Sequence, residues 1–261
     1  MTGAIDLRKE LAACAREIHA RGWVANHDGN LTARLDDGRF ICTPTAISKR
    51  LVTESMLLVV DREGRKLSGR MRPFSELGLH LTVLAERKDA RVVLHAHPPT
   101  ATGFAVAGIP LDSPTSPEVV VSLGAGIPTV PYAGPGAAAE AALRPYLHTT
   151  DTVLLANHGA LTWGPDVETA FLRMELVEHV AKTTLVAHQL GGAVPLPQAD
   201  VEALLAKRHK AGLDPPGARA PAAGTKAGAA PAAPAASAPA NLAAIINEEV
   251  LKALGGGSRK T

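Results

Sequence analysis

The chain has 261 residues, a formal net charge of +2, and 46% hydrophobic residues, of which the aromatic ones make up only 3% of the chain. Its 27 basic and 25 acidic residues are interspersed, which argues against a nucleic-acid-binding surface. No window reaches the roughly 18 uncharged apolar residues of a membrane span, no signal peptide is recognisable, and two cysteines are too few for a disulfide framework. We therefore expect a cytoplasmic α/β protein with an aliphatic core.

The first part of the chain predicts a helix followed by a β-hairpin. Apolar residues at helical spacing indicate an amphipathic helix over residues 5–21. Alternating residues around a turn at Gly38 indicate two paired strands over residues 30–43, and residues 56–60 indicate a third strand. These elements form the expected scaffold.

Two histidines are expected at the end of a buried strand. A helix is predicted over residues 76–87, with Ser75 as its N-cap. The short apolar and β-branched segment 91–95 then predicts a strand that delivers His95 and His97 to its end. Catalytic residues often lie at such positions.

A third histidine follows another apolar strand. Residues 153–156 are predicted to form a central strand, and His158 comes directly after it. We interpret the basic run 207–210 as a cap on the solvated end of the last helix. The other predicted elements are a helix start at 100–107, a helix or strand at 119–123, sheet at 161–163, and helices at 166–188 and 200–210.

The composition changes near residue 213, which predicts one domain over residues 1–212 and a tail. Residues 213–240 are almost entirely Ala, Pro and Gly, and such a segment is expected to be an extended linker. Residues 241–254 have apolar residues on one helical side and predict an amphipathic helix, followed by a flexible end over 255–261.

The three histidines and one glutamate suggest a divalent-metal site. Imidazoles from His95, His97 and His158 can occupy one face of a metal and leave a position for substrate. Glu76, at a helix start, can ligate the metal or abstract a proton beside a polarised carbonyl. The alternative for Glu76 is a glutamate that only favours the helix dipole.

Four positions could bind an anion such as phosphate. Loop hydroxyls, amides and backbone N–H groups form such nests, although turn formation is the ordinary explanation for these residue types. The positions are Asn30, Thr45, Ala46 and Ser75.

Five motifs occur in a specific order along the chain. They are GNLTAR at 29–34, CTPTAIS at 42–48, SE at 75–76, HAHPP at 95–99 and NHG at 157–159. Together they resemble the class II aldolase and adducin family over residues 6–190, and most closely its bacterial sugar-phosphate aldolases of the L-fuculose phosphate type. The resemblance implies a three-layer α/β/α domain with a central, mainly antiparallel sheet, assembled as a homotetramer.

The resemblance also implies a reaction and roles for individual residues. The implied enzyme cleaves a ketose 1-phosphate, such as L-fuculose 1-phosphate, to dihydroxyacetone phosphate and an aldehyde such as lactaldehyde. His95, His97 and His158 would hold zinc, and Glu76 would be a fourth ligand that moves away and then acts as acid and base. The matching phosphate positions are Asn30, Thr45, Ala46 and Ser75, with Gly29 allowing close backbone approach.

The sequence departs from the family pattern at several positions. Phe74 stands where a serine is common, which removes one phosphate hydroxyl, and Ala46 stands where glycine is usual. No tyrosine follows Tyr146, and residues 116–118 occupy the place of another active-site tyrosine, so the proton donor and the aldehyde are left open. A pentulose-phosphate epimerase or dehydratase of the same family would use the same histidines, whereas a non-enzymatic adducin-like scaffold would lack them.

The tail resembles the encapsulation peptide of bacterial microcompartment cargo. That resemblance implies that residues 241–254 dock to shell proteins through a helix-in-groove contact, and that the enzyme resides inside a microcompartment within the cytoplasm. The alternative is a nonspecific oligomerisation helix or a loosely ordered terminus.

Overall fold

The structure is a computed structural model that describes residues 2–216, with side chains from residue 7 onward. The helices are α1 (Thr2–Ala20), α2 (Leu77–Glu86), α3 (Pro99–Ala107), α4 (Pro117–Leu123), α5 (Ala137–Leu143), α6 (Val167–Gln189) and α7 (Gln198–Lys210). The strands are β1 (Asn30–Arg34), β2 (Phe40–Cys42), β3 (Leu58–Val60), β4 (Lys66–Ser68), β5 (Val92–Ala96), β6 (Thr129–Val130), β7 (Thr152–Leu155) and β8 (Gly159–Gly164).

The eight strands form one sheet in the order β4-β3-β2-β1-β5-β8-β7-β6. All neighbours are antiparallel except the parallel pair β6 and β7, which confirms the mainly antiparallel sheet. The prediction of β7 as a central strand is wrong, because only β6 separates it from the sheet edge. Neither β4 nor β6 was predicted, since β4 is fully exposed and β6 has two residues within a Gly/Pro-rich loop.

Helices cover both faces of the sheet, which confirms the three-layer α/β/α fold. One face packs against α1, α3, α4 and α6, and the other against α2 and α5. Side chains alternate between the two cores along β5, where Val92 and Leu94 face the first core and Val93 the second. Because β5 is buried on both faces, it reads in sequence as a continuous apolar run.

The predicted N-cap of α2 is wrong by one residue. Glu76, not Ser75, occupies the N-cap position, and its side chain makes no capping hydrogen bond. Main-chain bonds close the first turn instead, from Leu77 N to Phe74 O at 3.4 Å and from Leu79 N to Glu76 O at 3.0 Å. The Glu76 carboxylate is therefore free to bind elsewhere.

Other helix predictions are resolved or confirmed. Residues 119–123, left open between helix and strand, belong to α4. The long helix α6 begins after Asp166, whose side chain accepts a hydrogen bond from Thr169 N at 2.7 Å. None of the helices in the described part of the chain has the length and apolarity to cross a bilayer. The linker from residue 217, the 241–254 helix and the 255–261 end lie outside the described residues.

The basic run at 207–210 does not simply cap a solvated helix end. The Arg208 side chain is only 3% exposed and lies 3.5 Å from the buried carboxylate of Asp151. Arg87 and Arg173 reach the same carboxylate at 2.6 and 2.9 Å. Asp151 thus joins α7, α6 and the residue after α2 to the start of β7.

We expect Asp151→Asn to destabilise the domain by about 3–5 kcal/mol, because it leaves buried guanidinium groups without their shared counter-charge. Asp89→Asn is the matched control, since Asp89 pairs with Arg87 but its side chain is 46% exposed, and it should cost about 1 kcal/mol or less. Chemical denaturation of the full chain measures both. Equal losses for the two variants would contradict a buried network centred on Asp151.

Candidate metal centre

Antiparallel pairing brings the sequence motifs together at one end of β5. His95 lies opposite Asn30 at the start of β1 and opposite Leu161 near the start of β8. Because β1 and β8 both run opposite to β5, their beginnings meet its end. The segments that contain Asn30, His95 and His158 therefore converge although they are far apart in sequence.

The three predicted histidines form a compact cluster. One ring nitrogen from each of His95, His97 and His158 lies within 4.8 Å of the other two. The Nε2 atoms of His95 and His97 are 2.9 Å apart. His95 Nδ1 lies 2.9 Å from Ala160 O, and since a carbonyl can only accept, Nδ1 carries the proton and Nε2 presents its lone pair to the cluster.

Main-chain hydrogen bonding and local backbone conformation hold the second and third histidines in place. His97 N donates to Trp23 O at 2.8 Å, and Asn157 takes the left-handed conformation (φ 58°) just before His158. Gly159 permits this close packing, because a Cβ there would lie 2.5 Å from His97 Cδ2 and 2.6 Å from Ala96 O. The glycine of the NHG motif is thus required by the histidine cluster.

Glu76 lies against the histidines, as predicted. Its carboxylate oxygens are 3.0 Å from His158 Nε2 and 3.5 Å from His95 Nε2. Asn30 Nδ2 donates to the same carboxylate at 3.0 Å. Asn30, predicted as a phosphate-binding residue, therefore also orients the candidate base.

Burial and contacts between neighbouring side chains shift the pKa values of the three histidines and Glu76 in different directions. Burial lowers the pKa of His95, and burial together with the other histidines lowers the pKa of His97 to about 3. The hydrogen bond with Glu76 raises the pKa of His158. Burial alone would raise the pKa of Glu76, but the neighbouring His95 and His158 outweigh it and hold that pKa well below its usual range.

This donor set fits a divalent cation. The Ala160 carbonyl orients the Nε2 lone pair of His95 toward His97, and Asp28 Oδ2 lies 3.8 Å from the other nitrogen of His97. Two neutral imidazole lone pairs 2.9 Å apart repel each other unless they share a proton or a cation. Three imidazoles with a nearby carboxylate are ligands that Zn²⁺ accepts, so His95, His97 and His158 could hold the metal with Glu76 beside them.

Main-chain hydrogen bonds link the segments that carry the candidate phosphate positions. Thr43 N bonds to Leu31 O at 3.0 Å, which places the segment after β2 beside Gly29 and Asn30. Thr45 N then donates to Arg72 O at 3.0 Å, next to the segment that carries Ser75. The register therefore brings residues 29–30, 45–46 and 75 to one region.

Two of these positions have a backbone reason for their residue type. Ala46 has φ 57°, a left-handed conformation that glycine adopts more easily, which explains why glycine is usual in the family pattern. Gly29 has φ 74°, and a Cβ there would lie 2.4 Å from Val24 Cγ1. For Gly29 the structure thus shows a packing requirement, in addition to any approach of a phosphate.

Phe74 points into the core and not toward an anion. Its side chain is 7% exposed and meets the ring of His80 edge to face at a centroid distance of 5.1 Å. His80 is fully buried within α2, and burial lowers its pKa to about 3. The hydroxyl that the family pattern would supply is therefore replaced by packing under α2.

Lys49 was not predicted to belong to the site. This lysine is 1% exposed, and its Nζ donates to His27 O at 2.9 Å and to Ile47 O at 3.2 Å. It joins the loop before β1 to the loop after β2, which are the two segments with candidate phosphate positions. Burial lowers its pKa to about 8. The one sequence signal for a role of Lys49 in the site is its position directly after the CTPTAIS motif.

A cavity of about 290 Å³ opens beside the cluster. Glu76 and His158 line it on one side, with Ser75 near them, while Tyr132 and Glu140 belong to other segments of its wall. The rest of the lining is largely aliphatic and small. Neither Tyr132 nor Glu140 was predicted as a site residue, because the 130–140 segment has no recognisable catalytic motif.

The α/β/α domain thus gathers three histidines and a glutamate beside a cavity, an arrangement that could hold a metal and act on a substrate. Residues 9–185 match the profile of the Class II Aldolase and Adducin N-terminal domain. The chain therefore belongs to the class II aldolase and adducin family, and it is an enzyme.

Known proteins resemble the chain over most of the described domain. A 3-oxo-tetronate 4-phosphate decarboxylase of Cupriavidus necator is 32% identical over 187 residues, which cover 70% of this chain and 85% of that protein. An L-fuculose phosphate aldolase of Methanococcus maripaludis is 30% identical over 188 residues, covering 71% and 99%. A solved L-fuculose 1-phosphate aldolase superimposes with a TM-score of 0.72 at 28% identity, covering 78% and 96%.

We expect the purified protein to hold about one zinc per chain and His95→Ala to lose it, since removing one of three imidazoles leaves too few ligands. His148→Ala is the control, because the His148 side chain is 55% exposed and pairs with Glu86, away from the histidine cluster. Elemental analysis after dialysis against a weak chelator gives the metal content. Full zinc content in His95→Ala would contradict the proposed ligand set.

Proposed function

We propose that this enzyme is a zinc-dependent aldolase that cleaves a ketose 1-phosphate of the L-fuculose 1-phosphate type. The products are dihydroxyacetone phosphate and an aldehyde such as lactaldehyde. The observation that carries the proposal is the Glu76 carboxylate, 3.0–3.5 Å from two of three clustered histidines and beside a cavity. A base next to a Lewis-acid site is what carbon–carbon cleavage beside a carbonyl needs.

The residues of the site have separate roles in the proposed reaction. A bound divalent cation supplies a Lewis acid that polarises the substrate carbonyl and stabilises the negative charge left by cleavage. Glu76 delivers a proton to C3 of the resulting enediolate and removes it in the reverse direction. Asn30 holds the Glu76 carboxylate by its amide.

Recognition of the phosphate is assigned to the segments that converge beside the centre. Backbone N–H groups around Gly29 and Ala46 and the hydroxyls of Thr45 and Ser75 are the candidate donors. Lys49 fixes the two loops relative to each other through its bonds to His27 O and Ile47 O. The Phe74 side chain is turned away, so fewer hydroxyls are available than in the family pattern.

Decarboxylation of a 3-oxo acid 4-phosphate is the second candidate, and the 32% identity to the Cupriavidus necator decarboxylase favours it. Loss of carbon dioxide from 3-oxo-tetronate 4-phosphate leaves its bonding electrons on C2, conjugated with the C3 carbonyl. Protonation there gives dihydroxyacetone phosphate. Both candidates therefore pass through the same three-carbon enediolate, and the same Glu76 could protonate it.

Two other functions are alternatives. A pentulose-phosphate epimerase or dehydratase would use the same histidines, but epimerases resembling this family tend to have aspartate where this chain has Glu76. A non-enzymatic adducin-like scaffold is disfavoured by the clustered histidines. The homotetramer implied by the family resemblance is part of the proposal.

A substrate panel with one shared readout tests the proposed function. L-fuculose, L-rhamnulose and L-ribulose 1-phosphates and 3-oxo-tetronate 4-phosphate are each incubated with zinc-loaded enzyme, and dihydroxyacetone phosphate is measured by its reduction. The aldolase proposal expects an equimolar aldehyde from a ketose 1-phosphate. If the keto acid releases carbon dioxide and none of the ketose 1-phosphates is cleaved, the aldolase proposal is rejected in favour of the decarboxylase.

We expect Glu76→Gln to keep zinc but to lower exchange of the hydroxymethyl protons of dihydroxyacetone phosphate with deuterated water by at least about 100-fold, in line with loss of a general base. Proton NMR measures the exchange. Ser75→Ala is the matched neighbour, and it should change the affinity for dihydroxyacetone phosphate more than the exchange rate at saturation. Unchanged exchange in Glu76→Gln would reject this residue as the base.

The amphipathic segment at residues 241–254 supports a further part of the proposal, residence in a bacterial microcompartment. Fusing these residues to a fluorescent protein is expected to recruit it to shells in shell-forming cells, with a fusion bearing charged residues at Ile245 and Ile246 as the control. Diffuse fluorescence of both fusions would reject docking to shell proteins.

A further inference from the structure

Glu140 is a second carboxylate in the wall of the cavity beside the metal centre. It belongs to α5 and lines the same space as Glu76 and His158. The Glu140 carboxylate lies directly over α2, since a Cβ built on Gly78 would be 2.2 Å from its Oε1. Glycine at position 78 therefore makes room for this carboxylate.

Nothing in the described part of the chain neutralises Glu140. Within residues 7–216 its carboxylate forms no hydrogen bond or ion pair, whereas Glu76 is held by Asn30 and His158. Several walls of the cavity are apolar, among them Leu79, Val130 and Leu155. Apolar walls strengthen the field of a charge inside such a space.

The cavity is lined by Ser75 and Glu76, by residues of α2 and α5, and by the 130–136 and 155–158 segments, and of the candidate phosphate positions it includes Ser75 but not those at 29–46. The phosphate of a substrate held at 29–46 and 75 would thus lie at the Ser75 end of the cavity. The fragment beyond the cleaved bond would enter the cavity past Glu76 and His158.

We propose that Glu140 selects the substrate by charge, accepting hydrogen bonds from the hydroxyls of an uncharged leaving fragment and repelling an anionic one. This inference rests on the proposed function, because that function sets the direction in which the substrate lies in the site. It assigns the substrate class as phosphorylated ketoses whose leaving fragment is a neutral hydroxyaldehyde. It disfavours substrates whose second end is a carboxylate.

A binding experiment tests the selection without catalysis. Erythritol 4-phosphate and erythronate 4-phosphate have the same length and phosphate and differ in a hydroxymethyl or carboxylate end. Calorimetry with zinc-loaded full-length protein gives the ratio of their dissociation constants. We expect Glu140→Gln to shift this ratio toward the anion by about 3- to 10-fold, the size expected from removing one screened charge several ångströms away.

Two further variants sharpen the result. Glu54→Gln removes an exposed charge on another segment and should leave the ratio unchanged. Gly78→Ala pushes the Glu140 carboxylate aside and should move the ratio in the same direction as Glu140→Gln. In the Glu140→Gln background, Gly78→Ala should then have little further effect, because the two changes act through one charge.

The outcomes separate this inference from the proposed function. An unchanged ratio in Glu140→Gln overturns charge selection, even if the enzyme condenses dihydroxyacetone phosphate with lactaldehyde. A shifted ratio supports charge selection, even if no ketose 1-phosphate is cleaved, and in that case only the aldolase proposal fails. Efficient wild-type turnover of 3-oxo-tetronate 4-phosphate, unchanged by Glu140→Gln, would also overturn the inference.

Discussion

The antiparallel pairing of β5 with β1 on one side and β8 on the other is the constraint on which the site depends. It sets His95 opposite Asn30 and Leu161, so the end of one strand meets the beginnings of two others. β5 is buried on both faces, and a slip of one residue would turn His95 into the opposite core. The strand register that stabilises the sheet therefore also positions the histidines of the candidate metal centre.

Electrostatic pairing then fixes the chemistry of that centre. Neutral imidazoles at His95 and His97 suit a cation, and the charged carboxylate of Glu76 is held next to them by Asn30. A carboxylate kept ionised beside a Lewis acid can take and return a proton at a substrate carbon. Glu140, which has no hydrogen-bond or ion-pair partner within residues 7–216, lines the same cavity, and its proposed role is to act on the part of the substrate that leaves.

Much of the fold and of the metal site could be predicted from sequence, because each depends on local patterns. The apolar run before His95 and the motif order identified the cluster, and the structure brings these residues together. Two of the missed features, the burial of Arg208 and of Lys49, depend on distant contacts. Arg208 is buried only because Asp151 lies across the fold, and Lys49 is buried only because two loops meet over it. The N-cap at Ser75 failed because main-chain bonds closed that turn.

The central claim is that three imidazoles hold the metal of a lyase whose base is Glu76. X-ray absorption at the zinc K-edge of the wild-type protein tests the ligand set most directly. We expect a first shell of nitrogen and oxygen at about 2.0–2.1 Å, with the multiple scattering of about three imidazoles. A sulfur shell at about 2.3 Å would assign the metal to Cys14 or Cys42 and rule out the histidine site, as would a spectrum without bound imidazole.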